Sequence, residues 1–545
     1  MNAGPRLLMR TGRALFITLV ATFLFAVPSR SALADETPSS PALYQYIGMN
    51  IDATTGRVPA DAMTLPDEPA ARKFSRLRWV PGGLEGLGTR HMQWDGSAKA
   101  SQAITLLEQY AAGDEAAEAT LYEMLRADDV VTFYNDTLDV ASSRIADAEP
   151  RLHELARRLA TQSKDRGPVK FGIAMLGSMG DAGDLDIIRR LALHDEFGLY
   201  AAEAIAELAP DRQQSLYQMA SHVSGWGRIE AVTLMTATPD PQLRRWLLTQ
   251  AFRNDVTPQY LAFHCATIGN LEGALKGELA ATQTSPASSR DGELLAGISD
   301  LIQSLIRPAP SKDSQLYEGT SRSAILFLQQ VQKRRDSLSF LLTAQMLKEY
   351  APSSAWSADE KALVETLVAP IINDKSWHKR VISTLGDDRA NLTQAELVAR
   401  GLDIDTFDIH LRRLEKNGAV PERWRLAFAA ADSRQVRLLV YAAEKTFGVR
   451  FSQGSVGRGK TSDEALEVVL QSVGRLPGVG TAIVDGALLD FSPRVRRAAV
   501  ETLVRWGGSY LRDGSVRAAL SAAVRDETDE GLRARMVALL NVGEP

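Results

Sequence analysis

The stretch GSVGRGKT, Gly454 to Thr461, has the residue types and spacing of a phosphate-binding loop, G-x-x-x-x-G-K-[ST]. In such a loop the amides around Gly454 and Gly459 cradle phosphate oxygens. Lys460 then reaches the β- and γ-phosphates, and the Thr461 hydroxyl meets Mg²⁺. That chemistry needs a buried strand before the first glycine and a helix after the threonine. SDEALEVVLQSV supplies the helix, with Asp463 and Glu464 suited to its first turn. Upstream, RQVRLLVYAAEKTFGVRF reads as a helix ending near Gly448, which leaves only VRF for a strand. AIVD, Ala482 to Asp485, could serve as the metal-binding strand, but it follows Thr461 too closely for a crossover connection. The expectation is an exposed glycine-rich loop between helices and no nucleotide cofactor.

Four other constellations invite chemistry. RLPGVGTAIVDGAL, Arg475 to Leu488, has the turn of a helix-hairpin-helix nucleic-acid motif, but its following helix opens without Lys or Arg to meet phosphate. It reads instead as a helix stop at Gly474 and a restart at Gly480. DIDTFDIHLRRLE offers Asp403, Asp405, Asp408 and His410 as oxygen and nitrogen ligands, without the spacing of a calcium loop. Asp405 or Thr406 is better placed to cap the helix that follows. His264 and Cys265 are adjacent, so on a helix they diverge and cannot pair as base and nucleophile. His194-Asp195-Glu196 falls between two helical runs and reads as capping or solvated loop. No catalytic residues and no metal site are assigned.

For binding, GWGRIEAV is the unusual stretch. Trp226 lies between Gly225 and Gly227, with Arg228 and Glu230 after it. Trp and Arg are enriched where proteins bind partners. The alternative is that Trp226 seals a groove between helices, with the glycines permitting close approach.

The address is set at the start. Arg6, Arg10 and Arg13 precede the apolar run ALFITLVATFLFAV, Ala14 to Val27, and then SALADE with Ala32 and Ala34. A basic start, a short apolar core and an A-x-A end read as a secretory signal cleaved after Ala34, leaving an exported, periplasmic chain with no stable membrane insertion. Cleavage removes Arg6, Arg10, Arg13 and Arg30 and no acid, so the formal charge of −5 becomes −9. An acidic chain is a poor match for nucleic acid. The single cysteine, Cys265, allows no internal disulfide.

Strand signals are scarce, and apolar residues recur at helical spacing almost everywhere after Ala98. Between Gly167 and Ala281 the spacing predicts four helix pairs. Their first helices start near Pro168, Phe197, Trp226 and Pro258, about 30 residues apart. Near the C-terminus SPRVRRAAVETL puts Val495, Ala499 and Leu503 on one face, and DEGLRARMVALL does the same with Leu532, Met536 and Leu540. These two runs resemble HEAT-type helical repeats. The resemblance implies an all-α fold, an α-solenoid whose neighbouring pairs bury each other's apolar stripes. RWVPGGLEGLGTRH, GWGRIEAV, RRWLLTQAFRNDVTPQYLAFHCA and LVYAAEKTFGVRF are similar to bacterial HEAT-like proteins, some of which carry the label limonene hydroxylase.

The expected map is a signal over 1–34, an irregular N-terminal segment over 35–97, and helical repeats over 98–306. A linker over 307–315 and further repeats over 316–545 complete it. Residues 35–97 are rich in Pro, Gly and Asp and lack helical period, which suits irregular chain with short strands. The function expected of such an array is a scaffold or adaptor without turnover, binding another protein or peptide on its concave face. An enzyme of the hydroxylase-labelled group and a nucleotide-binding protein are the alternatives.

Overall fold

The computed structural model describes residues 40–68, 79–144, 149–277, 287–308, 317–387, 392–453, 460–508, 510 and 514–542. Among them the chain is all helical, with no strand. The expected signal, residues 1–34, lies outside the described residues. No described helix is long and apolar enough to cross a membrane.

Two compact units divide the chain. Residues 1–330 with 350–364 form the first, and 331–349 with 365–545 the second. The division falls beyond the expected linker at 307–315, because the helix Thr320–Val331 turns back on the first unit, where the Gln330 side-chain amide donates to the Leu275 carbonyl.

The first unit opens with α1 (Leu43–Met49) and α2 (Gly83–His91), so the segment expected to be irregular carries two helices and, where described, no strands. There follow α3 (Ser97–Ala111), α4 (Ala116–Ala127), α5 (Tyr134–Arg144) and α6 (Glu149–Gln162). Next come α7 (Arg166–Met179), α8 (Leu185–Leu191), α9 (Gly198–Leu208), α10 (Arg212–His222) and α11 (Trp226–Thr233). The unit continues through α12 (Pro241–Trp246), a π-helical turn Leu247–Ala251, α13 (Gln259–Ile268), α14 (Leu271–Leu275), α15 (Ala287–Leu305) and α16 (Thr320–Val331). The helices α7, α9, α11 and α13 are the expected first members of pairs, within two residues of their expected starts. Helix α15 begins six residues before Glu293, taking in part of a stretch expected to be loop.

Alternate helices stack in chain order: α5 on α7, α7 on α9, α9 on α11, α11 on α13 and α13 on α15. The intervening α8 and α10 pack against these neighbours. Helices α9 and α11 approach closely at Gly198 and Gly227, where a Cβ on Gly198 would stand 2.3 Å from the Gly227 Cα. Backbone meets backbone there, so nothing flexible can yield. Gly198→Ala is expected to destabilise the first unit by about 2 kcal/mol, read as a lowered urea midpoint.

The second unit contains α17 (Leu338–Tyr350), the latter half of α18 (Ala358–Ile372), α19 (Ser376–Gly386) and α20 (Leu392–Gly401), with Tyr350 of α17 and residues 358–364 of α18 falling in the first unit. Then come α21 (Phe407–Lys416), α22 (Pro421–Ala430), α23 (Gln435–Gln453) and α24 (Lys460–Val473). The last four are α25 (Thr481–Leu488), α26 (Pro493–Trp506), α27 (Gly514–Asp526) and α28 (Glu530–Val542). Here the stacking makes two rows, α21–α23–α25–α27 and α22–α24–α26–α28. The core between them holds Trp424, Phe447, Leu470, Val500 and Trp506. Its polar edges are satisfied: the Trp506 indole donates to the Val473 carbonyl at 3.0 Å and the Thr502 hydroxyl to that of Leu470 at 2.9 Å. Val495, Ala499, Leu503, Leu532 and Met536 are buried as their spacing predicts, whereas Leu540 is only half-buried. The arginines beside them reach neighbouring elements, Arg494 to Glu464 and Glu467 on α24, and Arg496 to Glu527 ahead of α28.

Candidate functional site

Chemistry-bearing side chains gather in the first unit, where α2 crosses the stack. Lys170 stands in the apolar run of α7, and its ammonium is buried. It donates to Glu85 of α2 at 2.5 Å and to Glu196 at 2.7 Å. One turn earlier on α7, Arg166 donates to both oxygens of Asp67 at 2.8–2.9 Å, to Glu68 at 2.7 Å and to Glu196 at 3.3 Å. The second Glu196 oxygen accepts from the Gly82 amide at 3.2 Å. Four carboxylates thus surround two cations in a water-poor site. Burial is the largest influence and works against both cations, but the carboxylates together outweigh it, Glu196 first, with Asp67 and Glu68 at Arg166 and Glu85 at Lys170, and lift both above their ordinary values. Glu196 is opposed by burial, yet Lys170 and Arg166 hold it down to about 2. Burial pushes Glu85 upward despite Lys170.

His194-Asp195-Glu196 does cap a turn, as expected, but it is not solvated. The three residues enter a 3-10 turn between α8 and α9, with His194 and Glu196 buried. His194 Nδ1 accepts from the Glu196 amide at 3.2 Å, so the neutral ring carries its proton on Nε2. Burial pushes His194 down to about 4. Its Nε2 has no partner among the described residues at hydrogen-bond geometry, although the Met63 carbonyl lies near. The ring lines a cleft of about 20 Å³ with Met63, Glu68, Trp79, Arg166 and Glu196, room for roughly one water. Asp195 accepts from the Gly227 amide at 2.8 Å, and burial raises it to about 6.

The expected binding residues are placed in the same region and are already occupied. Trp226 is 3% exposed, lying under α2 and against the Tyr260 ring with centroids 5.2 Å apart. Glu230 accepts both guanidinium nitrogens of Arg90, at 2.6 and 2.9 Å. Arg228 turns away and donates to the carbonyls of Gln250 and Ala251. The groove-sealing alternative therefore describes Trp226 better than an open binding surface does. Beside them, the Tyr134 hydroxyl donates to Glu203, which burial raises to about 7.

No protein family, curated protein or solved structure matches the chain.

The other sequence candidates do not join this cluster. Gly454 to Gly459 lie outside the described residues. The segment before them is α23, which runs on to Gln453 past the expected end near Gly448, so VRF is helical. AIVD lies within α25, and Lys460 and Thr461 begin α24. Both strands that a phosphate-binding loop requires are therefore helices. Val473 ends α24 and Gly480, at φ +80°, leads into α25, the stop and restart read from the sequence. Asp405, one residue ahead of the Thr406 N-cap, accepts from the Phe407 amide at 3.0 Å at the start of α21, and the Thr406 side chain makes no capping bond. His410 turns inward to pair with Glu396, which also accepts from the Thr406 hydroxyl at 3.2 Å. No group of three potential metal ligands converges among the described residues. Cys265 is buried, and burial drives its thiol far above its ordinary value, which makes it inert.

Proposed function

We propose that the chain is an exported α-solenoid of HEAT-type helix pairs, acting as a scaffold or adaptor that binds another protein or peptide. The observation that carries this reading is the stacking of alternate helices in chain order, seen as one row through α5–α15 and as two rows through α21–α28. Arrays built this way contact only their neighbours and offer a long side-chain face to partners. The charged cluster supports the reading too, since its ion pairs tie α2 and the turn before α9 to α7 and so brace the stack.

In the second unit, α23 exposes Leu438 and Tyr441 one turn apart, at 50% and 67%, next to exposed Arg434 and Arg437. An aromatic with flanking arginines is the composition of a contact hot spot. Residues 35–545, immobilised and exposed to envelope extract, should retain a reproducible partner. Leu438→Ala combined with Tyr441→Ala should lower that retention about tenfold with unchanged thermal unfolding. Repeated blanks with the unaltered chain would sink the adaptor reading.

A further inference from the structure

Helix α2 belongs to neither the stack nor the intervening helices. Its nine residues lie across them and meet the turn before α9, then α7, α11 and α13. At its start the Gly82 amide donates to Glu196 in the turn before α9. Glu85 then accepts from Lys170 of α7. Gly86 follows, pressed on the Trp226 indole of α11 so closely that a Cβ there would stand 2.0 Å from a ring carbon. Arg90 takes Glu230 of α11 with two hydrogen bonds, and its guanidinium sits 5.7 Å from the Trp226 ring and 5.9 Å from the Tyr260 ring. His91 Nε2 and the Tyr260 hydroxyl of α13 share a hydrogen bond of 2.8 Å.

The sequence of α2, GLEGLGTRH, does not favour a helix by itself. Three glycines in nine residues each cost about 1 kcal/mol relative to alanine. A helix this short is also marginal in water whatever its composition. Its shape is imposed by the seat: glycines where the indole presses, an acid where a buried ammonium waits, an arginine where a carboxylate and two rings converge. A helical peptide is recognised in a groove in the same way, by a few anchor side chains about one turn apart.

We propose that α2 is an intramolecular ligand of the first unit, filling a seat on α7, α11 and α13 that recognises a short glycine-spaced helix with an acid at one position, glycine next, and arginine five residues after the acid. The proposal rests on reading the stacked helices as a peptide-binding scaffold and names the chemistry one of its faces selects. While α2 is seated, that face is closed to other chains; a segment of the same pattern gains access only by displacing it.

The test uses the full mature chain and a fluorescent peptide of residues 79–94, titrated by anisotropy. Gly86→Leu, which drives a side chain into the Trp226 ring, should unseat α2, and Arg90→Ala should loosen it. The peptide should bind the Gly86→Leu chain at least tenfold more tightly than the unaltered chain, with Arg90→Ala between. A peptide carrying Glu85→Lys should lose that binding, because it faces Lys170 with like charge. Equal peptide binding to all chains, or binding indifferent to Glu85→Lys, overturns the proposal. So does unfolding of the first unit in both variants by circular dichroism, since α2 would then be core rather than ligand. Partner capture by the unaltered chain does not depend on these outcomes, so failure here leaves the adaptor reading standing.

Discussion

Lys170→Met is expected to destabilise the contact between α2 and α7 by about 3–5 kcal/mol, the usual cost of removing one partner from a buried ion cluster. Glu196 keeps Arg166 and the Gly82 amide after the change, but Glu85 loses the Lys170 ammonium, its cationic partner in the cluster. Burial already pushes Glu85 upward, so without the ammonium it would hold a proton or leave the site. Methionine fills the same volume, which separates lost charge from lost packing. Hydrogen exchange at the amides of α2 and α7 reads this contact locally and is the measurement. Lys170→Met with Glu85→Gln should recover at least half of the loss, because a neutral glutamine has neither to take up a proton nor to leave the site. A loss below about 1 kcal/mol in the single variant would show that the cluster is not water-poor.

Lys170 also shows where the sequence spoke and was not heard. PVKFGIAML places one lysine inside an otherwise apolar helical run. A lysine there must snorkel out or find a buried carboxylate. Its partners, Glu85 and Glu196, stand on segments 85 and 26 residues away, and no local spacing links them. The helix starts were legible because Pro, Gly and Asp punctuate a strong helical period. Trp226 opens α11 where the repeat spacing placed it, and the close approach its flanking glycines permit is seen only in space, Gly227 against Gly198. Helix α2 was illegible for the opposite reason. Its glycines read as loop, and only the Trp226 ring and the ion cluster make them helical. The GSVGRGKT match misled because the motif states residue types, whereas binding depends on strands that α23 and α25 replace with helix.

Glu203→Gln is expected to stabilise the first unit at pH 8 and to leave it nearly unchanged at pH 4.5. Burial raises Glu203 from 4.5 to about 7, with Glu230 and Glu207 adding to the rise and the Tyr134 hydroxyl opposing it. Below pH 4.5 the carboxyl is protonated in both folded and unfolded chain, and its contribution to stability is fully present. Between pH 4.5 and 7 the unfolded chain gives up the proton while the folded chain keeps it, so that contribution is lost as pH rises. The full loss is roughly 3 kcal/mol at about 1.4 kcal/mol per unit, reduced to about 2–3 because Glu203 is not fully buried. Glutamine keeps the acceptor for Tyr134 and has no proton to lose. Asp195, Glu196 and His194 titrate in both chains, so their contributions cancel in the difference between variant and unaltered protein. Urea unfolding at several pH values should therefore show a gap in favour of Glu203→Gln that opens between pH 4.5 and 7 and is flat above. A gap independent of pH, or one favouring the unaltered chain at pH 8, would mean that Glu203 stays ionised in the folded protein and that Tyr134 holds its charge.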